Sequence, residues 1–128
     1  MPLYRCAIAE GLSTEEQRAT IAKAVVRIHC DVTGAPPSFV HAFFSEATAG
    51  ELPDGKTAIV LGSIRWGRSD EQKAQIVSEL TEVLSTVLGR PATAVDVVTV
   101  DVPSKWNMEG GELLPEPGEE AAWLARHR

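Results

Sequence analysis

The first group with unusual chemistry is at the start of the chain, Met1-Pro2-Leu3-Tyr4-Arg5-Cys6-Ala7-Ile8-Ala9. A methionine followed by a small residue is commonly removed, and Pro2 would then carry a free secondary amine. An α-amino group titrates near roughly 8, so such a nitrogen can take and return a proton at neutral pH. The alternative is a proline tolerated as first residue of a strand, where no ladder donor is needed. A second group is Ile64-Arg65-Trp66-Gly67-Arg68-Ser69. Two guanidinium groups this close, ahead of a helix start that adds amide donors, suit a carboxylate or phosphate. Trp66 is placed to stack on one of them; solvated arginines bridging to nearby acids are the competing reading. His29 lies at the flank of an apolar helical stripe, where a histidine is usually half-buried and satisfied. It joins a site only if its helix and the arginine loop border one cavity. Glu109, in Asn107-Met108-Glu109-Gly110-Gly111, is the carboxylate this set would use as a general base. Alone, a glutamate between glycines is most often solvated.

His29 and Cys30 are neighbours in sequence, but adjacent helical residues point about 100° apart. No further ligand set has suitable spacing, so neither a metal site nor a Cys-His nucleophile is expected there. No organic cofactor is expected either.

These 128 residues fit one domain spanning 1–128. A 44% apolar and 23% charged composition is that of an ordinary globular chain. The net charge of −6 argues against nucleic acid or an anionic membrane as partner. No apolar run approaches a membrane span and no signal pattern opens the chain, so a cytoplasmic location is expected. Cys6 and Cys30 then read as reduced packing residues.

The elements that must position these groups occur twice. Residues 1–9 form a strand, and Ser13-Thr14-Glu15-Glu16 reads as a capping box in which Ser13 accepts from the Glu16 amide. The helix that follows carries Ile21, Val25, Ile28 and Val32 on one stripe, Gly34 caps it, and residues 39–44 form a strand. Residues 57–64 are again a strand, Ser69-Asp70-Glu71-Gln72 again a capping box, and Ile76, Leu80, Val83 and Val87 again a stripe. Gly89 and Pro91 end that helix, and a strand over 95–100 follows. When Glu16 is laid on Glu71, Gln17 falls on Gln72, Ala19 on Ala74, Ile21 on Ile76, Gly34 on Gly89 and Pro36 on Pro91. The chain is thus a duplicated β-α-β unit, first copy 2–46 and second copy 57–101, with an irregular arm over 103–128. The fold class is α/β (α+β): a four-stranded sheet with both helices on one face.

That leaves the other face of the sheet without cover. Residues 58–64, Ala-Ile-Val-Leu-Gly-Ser-Ile, are apolar at odd and even positions, which suits burial on both sides. Another copy of the chain is the economical cover, so an obligate homo-oligomer is expected. The arm, with a short helix predicted over 119–128, is of the kind that packs over a neighbouring site or subunit.

Taken together, the residues resemble the tautomerase superfamily, and most closely its cis-3-chloroacrylic acid dehalogenase branch. The resemblance rests on Pro2, Arg27-Ile28-His29-Cys30, Arg65-Trp66-Gly67-Arg68-Ser69, Met108-Glu109, and Leu114-Pro115-Glu116-Pro117-Gly118-Glu119 with Trp123 beyond. It implies Pro2 as the catalytic proline, Arg65 and Arg68 as carboxylate-binding arginines, His29 as an aid to substrate binding, and Glu109 as the water-activating glutamate. It also implies a homotrimer. Where the family dehalogenase has a tyrosine on the fourth strand, this chain has Val98, which leaves water activation to Glu109 alone. Tyr4 matches another family tyrosine. The expected activity is tautomerisation of a small 2-oxo or α,β-unsaturated carboxylate, with hydration or weak cis-3-haloacrylate dehalogenation as the nearest alternative. A non-catalytic oligomeric binding protein that keeps the fold is the alternative of another class. Cationic neighbours depress an amine's pKa and carboxylates raise it, so the resting state of Pro2 depends on which set lies closer.

Overall fold

The two helices begin and end as the repeated sequence dictates. In the computed structural model, which describes residues 1–48 and 50–126, α1 (Glu15–Thr33) and α2 (Asp70–Leu88) each open on a capping box and close on a left-handed glycine, Gly34 and Gly89. The second box is the expected one, Ser69 with Gln72. The first is displaced by one residue: Thr14, not Ser13, accepts from the amide of Gln17, not Glu16.

The reason lies at the far ends of the helices. Gln17 Nε2 donates to the carbonyl of Val87, and Gln72 Nε2 donates to the carbonyl of Val32, both at 3.1 Å. Each capping glutamine thus also satisfies a late carbonyl of the opposite helix, one of those a helix leaves without a partner. A glutamate has no proton to give in that position. The helices therefore run antiparallel, tied together at both ends. Ser13 instead accepts from Arg18.

The strands are β1 (Leu3–Ala9), β2 (His41–Ala47), β3 (Ala58–Arg65) and β4 (Val95–Val102), in the order β2-β1-β3-β4. β1 pairs parallel with β2 and β3 parallel with β4, and the two units meet through antiparallel β1 and β3. The expected strand over 39–44 begins instead at His41, because Pro37–Phe39 forms a 3₁₀ turn that sends the Phe39 ring inward. An irregular arm follows β4. It folds into a small hairpin, β5 (Met108–Glu109) with β6 (Glu112–Leu113), and then α3 (Glu120–Arg126). Of the helix expected over 119–128, the last two residues lie outside the described residues.

One face of the sheet packs on the helices. Tyr4, Cys6, Ile8, Ala58, Val60 and Ile64 meet Ile21, Val25, Ile28, Ile76, Leu80, Leu84 and Leu88 in one core. The predicted second stripe is corrected here: Leu84 and Leu88 are buried, whereas Val83 and Val87 lie at its edge. Spacing by four keeps Ile76, Leu80, Leu84 and Leu88 on one line of the helix.

The other face is uncovered. Phe43, Arg5, Leu61 and Val98 stand side by side across the four strands, and Phe43 and Val98 are 57% and 49% exposed. The alternate residues of β3, Ile59, Leu61 and Ser63, are half-buried rather than buried. Within one chain, β3 is therefore covered on a single side. Cys6 and Cys30 are both free. Among the described residues, no helix is long and apolar enough to cross a membrane.

Candidate active site

The start of β1, the C-terminal end of α1, the β3–α2 loop and the arm bring the predicted residues into one region. Pro2 is buried, and its carbonyl accepts from the His41 amide at the start of β2. The terminal amine of Met1 donates to Glu109 Oε1. His41 Nε2 is 3.1 Å from the same oxygen. Glu109 is thus not the freely solvated glutamate that its glycine neighbours suggest. The β5–β6 hairpin carries it back to the start of the chain.

His29 is more deeply placed than its position on the stripe suggests, at 2% exposure. Its Nδ1 is 2.7 Å from the Tyr4 hydroxyl, with the two rings edge to face. Burial drives the His29 pKa down to about 3, and the charges of Arg68, Arg65 and the terminal amine push the same way. His29 is therefore neutral at physiological pH. The antiparallel register sets Leu3 opposite Ser63, so the chain start and the end of β3 with its arginine loop lie side by side. Burial also raises the Tyr4 phenol well above its ordinary value, with the Cys30 thiol adding and Arg68 opposing. Tyr4 stays protonated and can donate to His29.

Arg65 and Arg68 converge on one carboxylate, that of Glu120 at the start of α3. Arg65 Nη2 donates to Glu120 Oε1 at 2.6 Å, and Arg68 Nη2 reaches the same oxygen at 3.4 Å. Arg65 Nη1 donates to the Pro115 carbonyl, and Arg68 Nη1 to the Thr33 carbonyl at the end of α1. Burial disfavours the charge of Glu120. Hydrogen bonds from its own amide and from Arg65, the Arg65 charge, and a bond from the Gly118 amide outweigh this and hold its pKa below the ordinary range. Burial, and then the neighbouring Arg65 charge, lower the pKa of Arg68. The expected stacking partner is replaced: Trp66 is 63% exposed, and Phe39 holds Arg65 over its ring at 5.5 Å. Trp123 meets the Phe39 ring edge to face.

The structure therefore gathers Arg65, Arg68, His29, Glu109 and the chain start. It adds Tyr4, His41, Phe39 and Glu120, for which no role was read from the residues alone. Glu120 carried one legible signal, a carboxylate at a helix start just beyond the Pro-Gly turn of the arm. Val98 stands on β4 on the uncovered face. Among the described residues, no group of three His, Cys, Asp or Glu side chains is arranged to hold a metal.

Relatives share this arrangement of the chain. The sequence model of the family described as "Tautomerase enzyme" matches residues 63–114. A 2-hydroxymuconate tautomerase of Stutzerimonas stutzeri is 41% identical over 46 residues, which cover 36% of this chain and 73% of that one. The crystal structure of N1, a member of the cis-3-chloroacrylic acid dehalogenase family, superposes with a TM-score of 0.89 at 33% identity, covering 97% of this chain and 91% of that one. A fused 4-OT in a symmetric trimer superposes with a TM-score of 0.76 at 29% identity, covering 88% of this chain and 94% of that one. With a third of its residues identical to N1 over nearly the whole length of both chains, the chain belongs to the tautomerase family, in its cis-3-chloroacrylic acid dehalogenase-like branch.

Proposed function

We propose that removal of Met1 exposes the Pro2 nitrogen and that this amine is the acid and base of a tautomerase acting on a small 2-oxo or α,β-unsaturated carboxylate. The observation that carries this reading is the register of β1 on β3: Leu3 lies opposite Ser63, so the chain start adjoins the end of β3 that carries Arg65. A reacting acid held by its carboxylate at the arginines would lie beside the amine. Loss of Met1 moves the terminus by a single residue, so the new amine stays in the same neighbourhood.

The arginines neutralise the substrate carboxylate and draw charge toward it, which stabilises an enediolate as it forms. The neutral Pro2 nitrogen takes the enol proton and returns it to carbon. Neutral His29 adds no third positive charge. With Tyr4 donating to Nδ1, its remaining proton sits on Nε2, available to a substrate oxygen.

Hydration of an unsaturated acid is the second reading, and the contact between the terminal amine and Glu109 favours it. Glu109 would take a proton from water as the oxygen bonds to the β-carbon, while protonated Pro2 gives its proton to the α-carbon. Val98 provides no phenol to assist, so dehalogenation would be weak.

The active form would be a homo-oligomer closed over the uncovered sheet face, a trimer by analogy with the symmetric trimer above, and working in the cytoplasm on a free carboxylate. The proposal is tested with protein whose N-terminal mass verifies that Met1 is gone. Pro2→Ala should lower turnover of phenylpyruvate enol or 2-hydroxymuconate at least ~10²-fold, the lower range for a positioned acid or base. Unchanged ketonisation and hydration would return the chain to a binding role.

A further inference from the structure

We infer that Glu120 is an internal carboxylate that occupies the arginine pair and must be displaced by the substrate's own carboxylate, so that the arm restricts the site to anionic substrates. The inference rests on the reading of Arg65 and Arg68 as the carboxylate-binding residues. All four terminal guanidinium nitrogens already have acceptors. Two of these are backbone carbonyls, Pro115 and Thr33, and the other two bonds go to Glu120 Oε1. The Arg65 and Arg68 side chains are only 1% and 7% exposed, and that of Glu120 12%. With both side chains this buried, a second anion has little access to the pair while Glu120 stays.

Of the three acceptors, Glu120 is the one that can leave. Thr33 is fixed at the end of a 19-residue helix, whereas Glu120 opens a helix of seven residues beyond the Pro117-Gly118 turn. Its Oε2 accepts from the nearby Gly118 amide at 2.7 Å, a contact that moves with the turn, as does the bond from its own amide. A second carboxylate brought to the same guanidinium groups would repel the first. Exchange of one for the other keeps the charge balance of the buried pair. A neutral ketone or ester could not replace Glu120 without leaving two buried cations uncompensated, which is strongly disfavoured. Because it is tethered, Glu120 competes at a high effective concentration, set by the short segment that carries it.

The test measures binding rather than turnover, with phenylacetate as probe and phenylacetamide as its neutral counterpart, by calorimetry on the processed protein. Glu120→Gln keeps the shape of the residue and removes its charge. It should bind phenylacetate about 10-fold or more tightly than the unaltered protein, with no matching gain for the amide. Equal or weaker binding of phenylacetate by Glu120→Gln would overturn the inference and leave the carboxylate reading intact. No binding by either protein would overturn both. A second measurement needs no variant: saturating phenylacetate should speed amide hydrogen exchange over residues 116–126 as the arm is released. Slower or unchanged exchange there would also overturn it.

Discussion

The ring of Tyr4 lies where a side chain on Gly62 would have to be. The two residues are register partners on β1 and β3, and a Cβ on Gly62 would come within 2.6 Å of the ring. The absence of that one carbon lets the phenol lie flat beneath the helices and reach His29. Gly62→Ala should therefore destabilise the fold by about 1–3 kcal/mol, as overpacked cores do. It should also weaken carboxylate binding by moving Tyr4 off His29. Urea unfolding and a titration with phenylacetate check the two halves separately.

Buried His29 makes stability depend on pH. Its folded pKa is near 3, against about 6.5 when unfolded. Between those values the unfolded chain binds the extra proton, so stability rises with pH across this window and falls as pH drops from about 6.5. The slope from this group is at most about 1.4 kcal/mol per pH unit. Urea midpoints between pH 5 and 6.5, above the ordinary carboxylate range, should follow this trend, and His29→Gln should flatten it.

The glutamine bonds between the helices are testable without disturbing the caps. Glutamate at position 72 can still accept from the Ser69 amide but cannot donate to the Val32 carbonyl. Gln72→Glu should cost about 1–2 kcal/mol, the scale of a lost hydrogen bond that leaves an acceptor unpaired. Gln17→Glu should cost a similar amount, through Val87. Thermal or urea unfolding at neutral pH gives the comparison.

Glu109 separates the two proposed reactions. Enol ketonisation needs one amine, whereas hydration needs a base for water as well. Glu109→Gln should lower the ratio of hydration to ketonisation at least ~10-fold, within the usual range for losing a general base. Parallel assays with propiolate and phenylpyruvate enol read the ratio directly.

The uncovered sheet face predicts the consequence of placing charge there. Leu61 lies between Arg5 and Val98 across the sheet. A carboxylate buried among apolar side chains without a dedicated partner is costly. Val98→Asp, kept apart from Arg5 by Leu61, should shift sedimentation from oligomer toward monomer and reduce thermal stability. An unaltered protein that sediments as a stable folded monomer at low concentration would remove the assembly altogether.

The sequence alone determined the framework, because the repeat shows in local rules. Capping residues, terminal glycines and apolar spacing act over a few positions, and each occurs twice. Even the misplaced first cap was legible, since laying Gln17 on Gln72 also lays Thr14 on Ser69. The arginines, His29 and Glu109 were legible as chemical types. Their partners were not. Tyr4 meets His29 because Gly62 vacates a volume on another strand. Phe39 replaces Trp66 against Arg65 because a 3₁₀ turn carries it inward. Glu120 meets the arginines because the arm folds back over more than 50 residues of chain, from α3 to the β3–α2 loop. No periodicity encodes such contacts: they are decided when packing closes the loops, and the burial that follows is what neutralises His29 and commits both arginines to one carboxylate.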